Sequence, residues 1–290
     1  MKNILVLTDF SDRANVAAEY AMNLAITGQA NIVLCHALEI TEQLAYPLAD
    51  HMVLRNKTMK RLRDLGSQLA EIHSQLYESS DFVPAMSFMN DLDMLPEVIE
   101  KVVKEKHIDL IVIGAHRSNG ISRFLSGSHT NSIVDNSKCP VLIVPQEFSF
   151  QNPSNIVYAT DLSFDNSRVI AFLKELAMPF GSEISINHIS DLDLPLTSEE
   201  ESFETSIIDH IDTENPSKVS YHTVKGESVS KTLLEKSNAD DVDIMVLVHK
   251  RYDFFEGILH TSISKQVAHS TKVPLLVLPY SFSISNEDLV

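Results

Sequence analysis

Short apolar runs alternate with longer stretches whose apolar positions recur at helical spacing, and the alternation occurs twice along the chain. In the first half, Ile4-Leu5-Val6-Leu7 predicts a strand, and residues 14–26 predict a helix with Ala17, Ala21, Leu24 and Ala25 on one face. Gly28 suits the C-terminal cap of that helix. A strand over 31–36 follows, then a long helix over 49–76 with many basic residues on its outer face. Further on come a strand over 82–88, a helix over 95–106 and a strand over 110–113. A last helix over 128–136 and a final strand over 141–144 complete the half. Strands that alternate with helices build βαβ units and a parallel sheet, and right-handed crossovers put helices on both faces of an open α/β sheet.

The second half repeats the first. Asn3-Ile4-Leu5-Val6-Leu7-Thr8-Asp9-Phe10-Ser11 matches Asn155-Ile156-Val157-Tyr158-Ala159-Thr160-Asp161-Leu162-Ser163 at an offset of 152 residues, which persists to His36 and His188. Toward the end of each half the offset is 134, pairing Asp109–Ile113 with Asp243–Leu247 and Lys138–Pro145 with Lys272–Pro279. The second unit has therefore lost 18 residues (152 minus 134) in its middle. That middle is acidic from Ser198-Glu199-Glu200-Glu201 onward and reads as a capped helix with Ile207, Ile208 and Ile211 facing inward. The polar segment 146–154, which contains Pro153, reads as a linker between domains at 1–146 and 154–282.

Length and charge bound the function. A chain of 290 residues accommodates two domains, and 44% apolar residues are enough for ordinary cores. A formal charge of -17 argues against nucleic acid and anionic membrane as partners, because both require clustered cationic surface. Cys35 and Cys139 are too few for a disulfide framework and sit in or beside apolar runs, which points to buried free thiols in a reducing compartment. The N-terminus moves straight into a strand pattern without a signal-peptide profile, and no apolar run approaches the ~18 residues of a membrane span. A soluble cytoplasmic protein is the expectation.

The densest chemical signal lies after the strand at 110–113. Three of the eight glycines, Gly114, Gly120 and Gly127, fall within Gly114–Ser128, ahead of a segment able to start a helix. A strand that ends in glycines and leads into a helix N-terminus holds phosphate through exposed backbone N–H groups and the positive end of the helix dipole.

With Thr8-Asp9-Phe10-Ser11, Cys35-His36-Ala37, Gly114–Ser128 and Cys139-Pro140-Val141-Leu142-Ile143-Val144-Pro145 in this order, the chain resembles the universal stress protein family in its tandem two-domain form. The resemblance covers nearly the whole chain and implies two tandem open-sheet, Rossmann-like, doubly wound parallel domains. It also implies ATP or a related adenine nucleotide with Mg as ligand. Nucleotide-binding members carry Gly, two residues, Gly, nine residues, Gly, then Ser or Thr; here those positions are Gly114, Arg117, Gly127 and Ser128. The family pattern implies that Gly114, Gly127 and Ser128 cradle the phosphates, flanked by Ile113 and His129, while Asp9 and Ala37 border the adenosine. Ligands of open α/β sheets sit at the carboxyl ends of strands where the strand order reverses, which suits that placement.

Arg117 stands where the family has its second glycine, and two readings follow. Its Cβ and long side chain would block a close backbone approach, or its guanidinium would pair with phosphate oxygens. In the second unit the same positions are Val248, Arg251, Thr261 and Ser262, and Phe254, Phe255 and Glu256 fill the loop. A nucleotide there is not expected, and a structural or interaction role is.

Other chemistry finds little support. The chain has no Gly-x-x-x-x-Gly-Lys-Ser/Thr loop, no Gly-x-Gly-x-x-Gly after the first strand and no Gly-x-Ser-x-Gly around Ser128, which reads as a helix N-cap. His116 and His129 flank the glycine loop, and His249, His260 and His269 crowd the matching part of unit two, but none pairs at metal-ligand spacing. Asp161 survives where the phosphate glycines are gone, so Asp9 and Asp161 read as strand-end or helix-capping residues rather than catalytic carboxylates. The expected function is a regulatory nucleotide-binding module in unit one with unit two as degenerate partner; the alternative is an interaction scaffold without nucleotide. The resemblance further implies that the final strands 141–144 and 275–278 join the units as a pseudo-dimer, and it leaves a homodimer open.

Overall fold

The computed structural model describes residues 1–37, 48–76, 82–91, 95–115, 133–191, 196–211, 218–226, 229–237, 241–249 and 271–283. The chain divides into two compact units, Met1–Phe150 and Gln151–Val290.

Unit one contains β1 (Asn3–Leu7), α1 (Asp12–Gly28), β2 (Asn31–Ala37), α2 (Leu48–Leu76), β3 (Met86–Asp91), α3 (Leu95–Lys106), β4 (Leu110–Ala115) and β5 (Val141–Pro145). Its strand order is β3-β2-β1-β4-β5, and the strands pair in parallel. Chain order therefore reverses between β1 and β4, the switch point of a doubly wound sheet. The strands are apolar on both faces because helices cover both, and Ile4, Leu5, Val6, Ile111 and Val112 are wholly buried.

Unit two contains β6 (Asn155–Thr160), α4 (Ser167–Ala177), β7 (Glu183–Asp191), α5 (Ser198–His210), β8 (Val219–Gly226), α6 (Val229–Ser237), β9 (Ile244–His249) and β10 (Leu275–Pro279). Its strands run in the order β10-β9-β6-β7-β8, again parallel. Both units are thus the α/β, doubly wound fold expected from the sequence. A repeated carboxylate ties each first strand to its neighbour. Asp109 Oδ2 accepts from the backbone N–H of Lys2 (2.6 Å) and Asn3 (3.0 Å), and Asp243 Oδ2 from Ser154 (2.7 Å) and Asn155 (2.9 Å).

Three local expectations change. Gly28 is the last residue of α1, and Gln29 takes the left-handed cap (φ 52°), the position Gly181 occupies 152 residues later (φ 69°). The third strand begins at Met86 rather than at 82, after Pro84, which has no N–H to give a ladder. In α5, capped by Thr197 and Glu200, Ile207 is buried, whereas Ile208 is 52% exposed and Ile211 lies beyond the helix end.

Candidate functional site

The carboxyl edge of unit one is built around the turn that leaves β1. The buried Thr8 hydroxyl accepts from the Phe10 N–H (2.9 Å), and Phe10 adopts a left-handed φ of 61°. Asp9 Oδ1 accepts from the N–H (3.0 Å) and hydroxyl (2.5 Å) of Ser11, whose own oxygen caps α1 by accepting from Ala14 N–H (3.4 Å). Asp9 Oδ2 pairs with Arg13 one turn into the helix at 2.5 Å. Half-burial alone would raise the Asp9 carboxyl, but the Ser11 hydrogen bonds and the Arg13 charge outweigh it and hold the group below the usual carboxylate range. His36 Nδ1 lies 2.7 Å from the Thr8 carbonyl; a carbonyl only accepts, so Nδ1 carries the proton.

Unit two repeats this turn almost atom for atom. Thr160 Oγ1 accepts from Leu162 N–H (3.1 Å), Leu162 has φ 54°, Asp161 Oδ1 accepts from Ser163 N–H (3.1 Å) and hydroxyl, and His188 Nδ1 reaches the Thr160 carbonyl (3.2 Å). The Thr-Asp-x-Ser segment and its histidine are therefore a turn-building device, present whether or not glycines follow the fourth strand.

The units part company at Gly114. A Cβ on Gly114 would lie 2.2 Å from the Arg13 carbonyl oxygen, 2.5 Å from its carbon and 2.9 Å from Ala14 N. The first turn of α1 rests directly on the β4 backbone, an approach only glycine allows. In unit two the equivalent residue is Val248, and the helix begins at Ser167 instead of position 164, the counterpart of Asp12. The vacated turn is filled from within. Asn166, wholly buried, accepts from the Tyr158 hydroxyl (2.5 Å) and Thr160 Oγ1 (3.1 Å) and donates to the Phe164 carbonyl (2.8 Å). Unit one has Val6 and Ala14 where unit two has Tyr158 and Asn166.

Cations gather at the carboxyl edge of unit one. The Arg61 guanidinium of α2 lies 4.0 Å above the Phe10 ring, which sits 4.9 Å from the His36 ring. Asn90, in register with His36, donates to the Arg55 carbonyl (3.0 Å), and Lys101 pairs with Asp91 at 2.8 Å. Of the residues singled out from the sequence, Asp9, Ala37, Ile113 and Gly114 lie at or just beyond the ends of the adjacent strands β1, β2 and β4. Arg117, Gly120, Gly127, Ser128 and His129 lie outside the described residues, as do Arg251, Phe254, Phe255, Glu256, Thr261 and Ser262. Arg13 and Arg61 went unnoticed in the sequence. Asp9 and Arg13 at i, i+4 was the available signal for the first, while Arg61 comes from a distant helix and left none. Among the described residues no group of three His, Cys, Asp or Glu side chains is placed to hold a metal, and no helix is long and apolar enough to cross a membrane.

A model of the universal stress protein family matches residues 1–145 and again 153–279. A universal stress protein of Methanocaldococcus jannaschii is 27% identical over 152 residues, covering 49% of this chain and 81% of that protein. A universal stress protein structure from Archaeoglobus fulgidus aligns over 96% of this chain and 98% of its own, with a TM-score of 0.69 at 17% identity. A second, a putative universal stress protein from Pseudomonas aeruginosa, covers 96% and 93% with a TM-score of 0.59 at 14% identity. Likeness at these identities establishes a shared fold.

Proposed function

The chain belongs to the universal stress protein family, and from that premise we propose that unit one is a regulatory module binding ATP or a related adenine nucleotide with Mg, while unit two is its non-binding partner. One observation carries the reading: Gly114 brings the first turn of α1 against the end of β4, whereas Val248 and the later helix start remove that arrangement from unit two. In unit one Asp9 and Ala37, at the ends of neighbouring strands, would border the adenosine. Gly114, Gly127 and Ser128 would present backbone N–H groups and a hydroxyl to the phosphates, with Ile113 and His129 flanking them. Arg117 would supply a charge to phosphate oxygens. Magnesium would neutralise phosphate charge without a dedicated protein cage.

A specific observation favours a second reading, a scaffold without nucleotide. The space a Gly114 side chain would need is filled by the protein's own backbone, and the Asp9 turn recurs in unit two, so packing alone accounts for both. Calorimetry of the full chain with MgATP separates the two. One nucleotide per chain, lost in Gly127→Val, supports the module; absence of heat and of thermal stabilisation at millimolar ATP supports the scaffold.

A further inference from the structure

The two units carry helices of opposite charge at the same place in the fold, directly after the second strand of each. In α2, residues 55–63 hold Arg55, Lys57, Lys60, Arg61 and Arg63 and no acid. In α5, residues 198–210 hold Glu199, Glu200, Glu201, Glu204 and Asp209 and no Lys or Arg. This contrast is sharper than the units' overall balance, where unit one has 13 Lys/Arg against 18 Asp/Glu and unit two has 10 against 22.

The outer stripes are laid out alike. Helical spacing aligns Val53, Lys57, Lys60 and Asp64 along the solvent side of α2 with Arg63 beside them, and all five are exposed, so the stripe carries three cations against one acid. Arg55 and Arg61, by contrast, engage Asn90 and Phe10. On α5 the exposed stripe is Glu201, Thr205, Ile208 and Asp209. Each stripe carries an exposed aliphatic residue, Val53 at 66% and Ile208 at 52%. In each, an opposite end of the charge pattern lies seven residues away: Val53 to Lys60 and Glu201 to Ile208. Seven residues are two turns, roughly 10.5 Å of helix, so an antiparallel pair sets Val53 against Ile208 and Lys60 against Glu201 together. Among the described residues Lys57, Lys60 and Arg63 take no part in an ion pair.

We propose that α2 of one copy docks on α5 of a second copy, so that the protein self-associates through the Val53–Arg63 and Glu201–Asp209 stripes. Charge complementarity selects the partner: in so acidic a chain, the basic stripe of α2 meets its match on the same molecule's other unit, and a second copy presents that match. Like stripes repel, so α2–α2 and α5–α5 contacts are disfavoured.

Sedimentation of the full chain over a concentration series, at low and high salt, tests this. Two variants are made, K57E/K60E/R63E in unit one and E201K/D209K in unit two. Glu200 is spared because it completes the Thr197 cap. Wild type is expected to self-associate, more weakly as salt screens the contact, and each variant to weaken association by about tenfold or more. Mixed in equal amounts, the two variants are expected to associate with each other, since each then offers what the other lacks. Circular dichroism checks that both are folded. A wild type that stays monomeric overturns the proposal, including one that binds poly-glutamate through α2, which would assign the stripe to a foreign acidic partner. So does self-association indifferent to salt and to both variants, or a mixture that fails to associate.

Discussion

Gly114→Ala isolates the contact that distinguishes the units. The added Cβ would lie 2.2 Å from the Arg13 oxygen, 2.5 Å from its carbon and 2.9 Å from Ala14 N. Relieving the closest of these to ordinary van der Waals distance requires a shift of roughly 1 Å or more, and no side chain can rotate away because all three atoms are backbone. Overpacking of this kind costs about 1–3 kcal/mol, and displacing the first turn endangers the Ser11 cap, worth ~1 kcal/mol. Replacing glycine stiffens the unfolded chain and returns about 0.4–1 kcal/mol. The net expectation is a loss of roughly 1–3.5 kcal/mol, or about 2–14 °C in Tm for a unit of this size.

The assay is thermal and urea unfolding of the ligand-free chain, joined to hydrogen exchange of peptides from each unit. The exchange data matter because two units need not unfold together. Protection should fall in α1 and β4 and stay unchanged in unit two. A Gly114→Ala protein within about 0.5 kcal/mol of wild type, with α1 protection intact, would refute the argument. The experiment contains no nucleotide, so its result bears on packing alone.

In unit two, Asn166→Ala leaves the buried Tyr158 hydroxyl without its acceptor and should cost about 1–3 kcal/mol in urea unfolding; Tyr158→Phe on that background should recover part of it, and strict additivity would contradict the pairing. Arg13→Gln removes the charge that helps hold the Asp9 carboxyl down, so an Asp9 carboxyl NMR titration should move upward, and an unmoved titration would dismiss the ion pair. Because the folded-state value is lowered, the stabilisation from Asp9 is present above the unfolded carboxyl's pKa and lost as pH falls through the folded one. Burial, aided by the Asp91 and Asp109 charges, pushes the thiols of Cys35 and Cys139 up to about 12, so aromatic disulfide reagents near neutral pH should label them only on unfolding. Rapid labelling of the native chain would count against that burial.

The strands were legible because each is a short apolar run buried on both faces, and the repeat let one half check the other. What escaped was set by tertiary contacts. The apolar pair Phe82-Val83 looks like the start of the third strand, whereas pairing with β2 begins only at Met86, past Pro84. Ile208 and Ile211 look inward by composition, but of the three only Ile207 is buried, Ile208 is 52% exposed and Ile211 follows the helix end. The left-handed cap falls on Gln29 and not on the adjacent Gly28, since residue type indicates tolerance for that geometry rather than its location. Arg61 reaches Phe10 from a helix 51 positions further along, a distance no spacing rule spans.

Comparison of the two units also sorts the site by cause. Thr8, Asp9, Ser11 and His36 have counterparts with the same hydrogen bonds in Thr160, Asp161, Ser163 and His188, so the turn they form needs no ligand to explain it. Gly114 has no such counterpart. Where it is valine, the helix starts a turn later and a buried Tyr158–Asn166 hydrogen bond stands in the turn ahead of it. Among the described residues of this edge, the units therefore differ at the junction of the first helix with the fourth strand. That junction is where a nucleotide reading of unit one must succeed, and where the retained glycine, its contact with Arg13 and the Arg13–Asp9 pair make unit one the half to test.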